Sequence, residues 1–198
     1  ERPSDEQSLE KYKKRDLSFL VVGRINKHKG FDRILEFCEY FDKTENINSF
    51  DSVTLNIVGK QTDETTQIFK DLNLQNIKLV FHGFLSDEDL NPLYIKSHFC
   101  LFLSRNEGYG IPLVEAMWFK SIPIISNIPI FDEIMTNEYP KFDDKTNYTS
   151  SIVEFVNKIF DDITYLKKQK EFIETIVLNE QTGYEKAAKN LVKFIEKL

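Results

Sequence analysis

Apolar residues fall in short blocks separated by stretches with helical spacing. Residues 18–22, 53–58, 77–81, 99–103 and 121–126 have the length and residue types of buried strands. After the first block, Phe31, Ile34, Leu35, Cys38 and Phe41 recur at helical spacing. A second helix is expected over residues 63–72, with Ile68, Phe69 and Leu72 inward. Ser86 followed by Asp87, Glu88 and Asp89 reads as a helix N-cap with carboxylates in the first turn, where the helix dipole favours them, and not as a metal-binding acidic pair. Leu90, Leu93 and Tyr94 continue that helix. A short last strand is expected within residues 139–142, its boundary left open because no glycine lies between Gly110 and Gly183. From about Ser150 two amphipathic stripes follow, the first over residues 152–163 and the second over 184–198.

Strands alternating with helices imply a parallel sheet. The expected fold is α/β, a Rossmann-like parallel sheet of about six strands with helices on both faces, plus C-terminal helices. Residues 1–15 read as a polar linker or N-terminal extension, whose cations Lys11, Lys13, Lys14 and Arg15 form a solvated face. Residues 16–180 read as the domain, and residues 181–198 as a C-terminal helix. Open parallel sheets bind ligands outside the carboxyl ends of their strands. Gly23, Gly59, Gly83 and Gly108 each fall at or near such an end, so four loops converge on one site. His82, at one of these strand ends, reads as a hydrogen-bonded structural residue.

The stretch after the fourth block, Ser-Arg-Asn-Glu-Gly-Tyr-Gly-Ile-Pro-Leu-Val-Glu from Ser104, is strand, glycine loop, then helix. Gly108 and Gly110 permit close backbone approach to a ligand, and Pro112 suits the first helical turn. Open amides at a helix start favour an anion, while Glu107 and Glu115, with seven residues between them, accept hydroxyls on either side. A phosphate flanked by two polyols fits. The loop after the first strand, Gly23 to Gly30, carries the cations Arg24, Lys27 and Lys29.

Glu107 and Glu115, with Gly-Tyr-Gly-Ile-Pro between them, resemble the Glu-x7-Glu motif of retaining nucleotide-sugar glycosyltransferases of family four, which have the GT-B fold. That resemblance implies that Glu107 contacts the donor hexose and Glu115 the ribose. Gly23-Arg24 and Lys29-Gly30 resemble the family's Gly-Arg-x-x-x-x-Lys-Gly segment, in which Arg24 and Lys29 would bind the donor diphosphate and stabilise the charge it gains on leaving. Gly23, Gly108, Tyr109, Gly110 and Ile111 would line the donor, Lys60 would lie near the phosphates and Phe84 near the base. Pro129 and Glu133 resemble a proline turn of the same family, and the last stripe resembles its terminal helix. The resemblance implies no metal and no cofactor beyond a nucleoside-diphosphate sugar of UDP or GDP type. It covers only the donor half of a two-domain enzyme, so a glycan or lipid-linked acceptor would be held by an N-terminal domain absent here, and this half alone would be nearly inactive.

Composition narrows the alternatives. The 198 residues carry a net charge of −6, which gives no global basic character for nucleic acid, and the apolar runs are too short to cross a bilayer. Cys38 and Cys100 sit in apolar patterns and read as small buried hydrophobes. A cytoplasmic setting is expected, with room for peripheral membrane association of the full-length enzyme. A dehydrogenase is disfavoured because Leu113 stands where a third glycine would be needed. A glycoside hydrolase needs carboxylates on opposite sides of one bond, which a helix after a phosphate loop places poorly. A non-catalytic α/β module that binds a nucleotide or nucleotide sugar is the remaining rival.

Overall fold

The computed structural model describes residues 2–60, 67–69, 71–136, 138–143 and 147–178. Six strands, β1 (Asp16–Val22), β2 (Ser52–Val58), β3 (Ile77–Gly83), β4 (Phe99–Phe102), β5 (Ile122–Ser126) and β6 (Lys141–Phe142), form one sheet. Its order is β3-β2-β1-β4-β5-β6, and every pairing is parallel. The strands all lie within a residue or two of the apolar blocks. β4 and β5 are buried along their whole length, the expected state of central strands covered on both faces.

The helices are α1 (Asp5–Glu10), α2 (Phe31–Asp42), α3 (Asp87–Lys96), α4 (Ile111–Trp118), α5 (Pro129–Met135), α6 (Tyr148–Asp161) and α7 (Ile163–Leu178). Residues 67–69 are helical, as expected there, while residues 61–66 and 70 and all of residues 181–198 lie outside the described residues. Ser86 caps α3 by accepting from the Asp89 amide, with Asp87, Glu88 and Asp89 in its first turn. Phe19, Phe37, Phe41 and Phe99 pack against one another between β1, β4 and α2, Phe19 on Phe99 and Phe37 on Phe41 stacked and the other two pairs edge to face. Cys38 and Cys100 are free thiols, both buried, and burial pushes each up to about 12. Among the described residues no helix is long and apolar enough to cross a membrane.

The first fifteen residues hold a short helix, α1. Ser4 and Gln7 form a capping box that starts α1, and Tyr12 is buried with its hydroxyl donating to His98 O at 2.8 Å. Lys11 is not part of a solvated face: its Nζ donates to the carbonyls of Ile95 and Ser97. The apolar Leu9 and Tyr12 are too few to signal burial by periodicity, which is why the polar composition misled. His82 is the extra residue where the β2–β3 register shifts, and its Nε2 lies 2.9 Å from Asn56 Oδ1, a structural role as expected.

Lys120 closes α4 in the left-handed conformation at φ 60, where glycine is usual. Its side chain explains the choice, because Nζ pairs with Asp5 on α1 and lies 3.8 Å from Glu174 on α7.

Candidate functional site

β1 and β4 are neighbours at the point where the strand order reverses, so the loops leaving their carboxyl ends flank the crevice that such sheets offer a ligand. These two loops are tied together before any ligand arrives. The Arg105 amide donates to His28 O at 2.8 Å, and its guanidinium grips Asp32 with bonds of 2.5 and 2.7 Å. That pairing holds the Asp32 carboxyl below the usual range. Arg33 donates from α2 to the carbonyls of Leu103 and Ser104 at 3.1 and 3.3 Å. Gly30 has φ 67, and a Cβ there would lie 1.8 Å from Leu103 O, so no other residue fits at this crossing.

This stitching sets the position of the charged groups. Asn26 caps a single 3₁₀ turn, Lys27–Lys29, by accepting from the Lys29 amide at 3.0 Å. Lys29 Nζ then meets Glu107 Oε2 at 2.5 Å, while Ser104 Oγ donates to Glu107 Oε1 at 2.7 Å. The Glu107 side chain is 9% exposed and that of Lys29 35%. Gly23, Arg24, Lys29, Ser104 and Glu107 line one cleft of about 330 Å³, counting its open mouth, over an apolar floor that includes Val22 and Phe102. Arg24 is exposed and makes no hydrogen bond or ion pair with a described residue. The cleft therefore offers one uncompensated cation and one lysine whose partner an anion can replace.

The β4 loop ends at Gly110, which enters α4 with φ 64 and whose absent Cβ would lie 2.7 Å from Ile134 Cδ1. Among the described residues, the amides of Gly108 and Gly110 have no acceptor. Gly108 has a φ that is not left-handed and a Cβ would meet nothing within 4 Å, so the fold itself does not require glycine there. Pro112 lies in the first turn and Glu115 one turn further on. Glu115 is half-buried, and burial raises its carboxyl above the usual range, an effect that the Tyr94 hydroxyl, donating at 3.0 Å, opposes.

The remaining sequence candidates lie on the same edge of the sheet but outside the Lys29 cleft. The Gly23 amide donates to Val58 O at 2.9 Å and the Gly59 amide to Gly83 O at 2.7 Å, which aligns the ends of β1, β2 and β3. Lys60 follows β2 and is exposed; Phe84 follows β3 and is 89% exposed; Tyr109 is 42% exposed and Ile111 half-buried. Sequence reading missed Ser104, the Arg105–Asp32 pair and Tyr94. Only Tyr94 carried a usable signal, since a tyrosine on the inner face of a helix must place its hydroxyl on some acceptor. Among the described residues no cluster of three or more His, Cys, Asp or Glu is arranged to hold a metal.

A doubly wound sheet with a cation-bearing loop, a carboxylate and an open helix start at its switch point defines a GT-B donor-type domain. The chain matches the family of glycosyl transferases group 1 over residues 1–176 and belongs to it. It is 34% identical over 145 residues to the O-antigen chain mannosyltransferase RfbU of Salmonella typhimurium, covering 71% of this chain and 38% of that protein. It is 37% identical over 121 residues to the serotype-specific mannosyltransferase WbdA of Escherichia coli, covering 59% of this chain and 14% of that protein. The chain thus spans well under half the length of these relatives. The crystal structure of the C-terminal domain of the group 1 protein LpcC from Francisella tularensis superposes with a TM-score of 0.59 at 21% identity, covering 93% of this chain and 92% of that one. That likeness shows the shared fold.

Proposed function

We propose that this chain is the donor-binding half of a retaining glycosyltransferase. It takes a hexose from a nucleoside-diphosphate sugar of UDP or GDP type, without a metal ion, for transfer to a glycan or lipid-linked acceptor held elsewhere in the protein. The observation that carries this reading is the Lys29–Glu107 pair beside the unpaired Arg24 in one cleft. A diphosphate seated on Arg24 and Lys29 takes over the lysine's charge, which frees Glu107 Oε2 for a hexose hydroxyl while Ser104 keeps hold of Oε1. As the sugar–phosphate bond breaks, charge builds on the diphosphate, and two preplaced cations stabilise that state more than the ground state. The Gly108–Ile111 amides would take phosphate or sugar oxygens, and Glu115 the ribose hydroxyls. The two relatives described above are mannosyltransferases, which favours mannose as the hexose and a polysaccharide as the product.

Calorimetric titration with UDP, GDP, ADP and NAD, without metal, tests the reading, repeated on Glu115→Ala. One nucleoside diphosphate should bind, and the substitution should weaken it. Binding of NAD alone overturns the assignment. Donor binding without transfer by the full-length protein, with mannose donors and polysaccharide acceptors, would support the non-catalytic module instead.

A further inference from the structure

Glu115 does not stand alone on α4. Tyr94, on α3, is fully buried, and its ring stacks on Phe119 at 5.8 Å between centroids and 13° between planes. That packing fixes where the phenol points. Its hydroxyl donates to Glu115 Oε2 at 3.0 Å, whereas Oε1 makes no hydrogen bond to a described residue. A half-buried carboxylate with one oxygen anchored and the other open presents a single acceptor in a defined place.

We infer that Tyr94 is a positioning residue for donor binding, anchoring Oε2 of Glu115 so that Oε1 accepts the ribose hydroxyls of the nucleoside diphosphate. This deepens the donor-site reading and rests on it. Tyr94 need not touch the donor. Its hydroxyl satisfies a carboxylate that burial and the neighbouring Asp87 charge both push towards the protonated form. Protonation would turn an acceptor into a donor group and spoil the match to ribose. The nearby Cys100 thiol is buried and pushed up to about 12, so it adds no charge.

The test compares GDP and UDP with their 2′-deoxy and 3′-deoxy forms, titrated into wild type, Tyr94→Phe, Glu115→Gln and the double variant. Tyr94→Phe keeps the stacked ring. For whichever diphosphate binds, wild type should prefer the ribose form by about tenfold, the usual weight of a hydrogen bond to a charged group. Tyr94→Phe should lose most of that preference, and the double variant should be no worse than Glu115→Gln. The remaining preference in Tyr94→Phe should vanish at a higher pH than in wild type as the solution is acidified, because loss of the donor raises the carboxyl further. Substituting 3-fluorotyrosine, a stronger donor of nearly the same shape, should move that point the other way and guards against a folding defect in the phenylalanine variant. If Glu115→Gln abolishes the ribose preference but Tyr94→Phe leaves it and its pH dependence intact, the inference about Tyr94 fails while the donor-site reading stands. No ribose preference in wild type overturns both.

Discussion

The two ends of the sheet hold lysines in opposite circumstances. At the carboxyl end, Lys29 is partly exposed and meets the side chain of Glu107. At the amino end, Lys11 donates to the carbonyls of Ile95 and Ser97, and Lys170 to Lys120 O at 2.9 Å. Burial drives both of these amines down, Lys11 to about 7. A carbonyl locked in the fold cannot leave, so those lysines belong to the architecture. A carboxylate partner can be exchanged for a phosphate, so Lys29 is available to a ligand. What separates a structural cation from a functional one here is whether its partner is replaceable, not how basic the surrounding sequence looks.

The largest expected effect tests the amino end. His98 is 3% exposed, accepts from the Ser18 amide at Nδ1 and shares a 2.9 Å bond between Nε2 and Lys11 O, which together fix the neutral Nε2–H tautomer. Burial, aided by the Lys11 charge, lowers it to about 4. The unfolded chain takes a proton on this histidine below about pH 6.5 while the folded chain does not, so the stability this group contributes is full above 6.5 and falls until about pH 4. The loss from this group should be about 3 kcal/mol across that window. Urea unfolding between pH 4 and 7 measures it. His98→Asn should be less stable at neutral pH yet show a flatter profile, with His82 contributing a smaller slope of the same sign. An unchanged slope in the variant removes His98 from the account. Nucleotide affinity should not move at neutral pH, where the region is silent towards ligand.

At the carboxyl end the same kind of substitution should behave in the reverse way. Lys29→Ala removes one cation from the diphosphate and should weaken nucleoside-diphosphate binding about thirtyfold, the range of a charge-assisted hydrogen bond. It also leaves Glu107 nearly buried without its counter-ion, so stability should fall as well. Adding Glu107→Gln should restore the stability and not the affinity. If the second change restored both, Lys29 would act only by neutralising Glu107, and the contrast between the two ends would collapse. Glu107→Gln alone should weaken the sugar-bearing donor more than the bare diphosphate, whereas Glu115→Ala should weaken both.

The architecture was legible from the apolar blocks because buried parallel strands are nearly continuous runs of large apolar residues, as β4 and β5 are. Ser86 was legible as a cap because capping is local chemistry. Arg24, Lys29 and Glu107 could be proposed from motifs, and the structure brings these three to one cleft. What sequence could not supply is contact across the chain. The Arg105–Asp32 clamp spans 73 positions, the Tyr94–Glu115 bond joins two helices, and Lys11 finds carbonyls more than 80 positions away. Lys11, which reads as solvated from its neighbours in sequence, is held by residues far along it.

Gly108 gives the smallest effect on the fold and the sharpest separation of fold from ligand. Its neighbour Gly110 combines a left-handed φ with a crowded Cβ position, so a side chain there harms folding whatever binds. Gly108 has neither constraint, and Gly108→Ala should change stability by less than about 0.5 kcal/mol, as for an unstrained surface substitution. Its open amide still sits in the loop assigned to the donor. An added methyl that costs nothing in the free protein but lowers sugar-donor affinity can act only by keeping the ligand from the backbone. Thermal unfolding and donor titration on the one variant measure the two quantities. Unchanged stability with weakened binding places the donor against this turn. Unchanged values for both would leave the glycine with no role in the site and shift the phosphate contacts towards Arg24 and Lys29 alone.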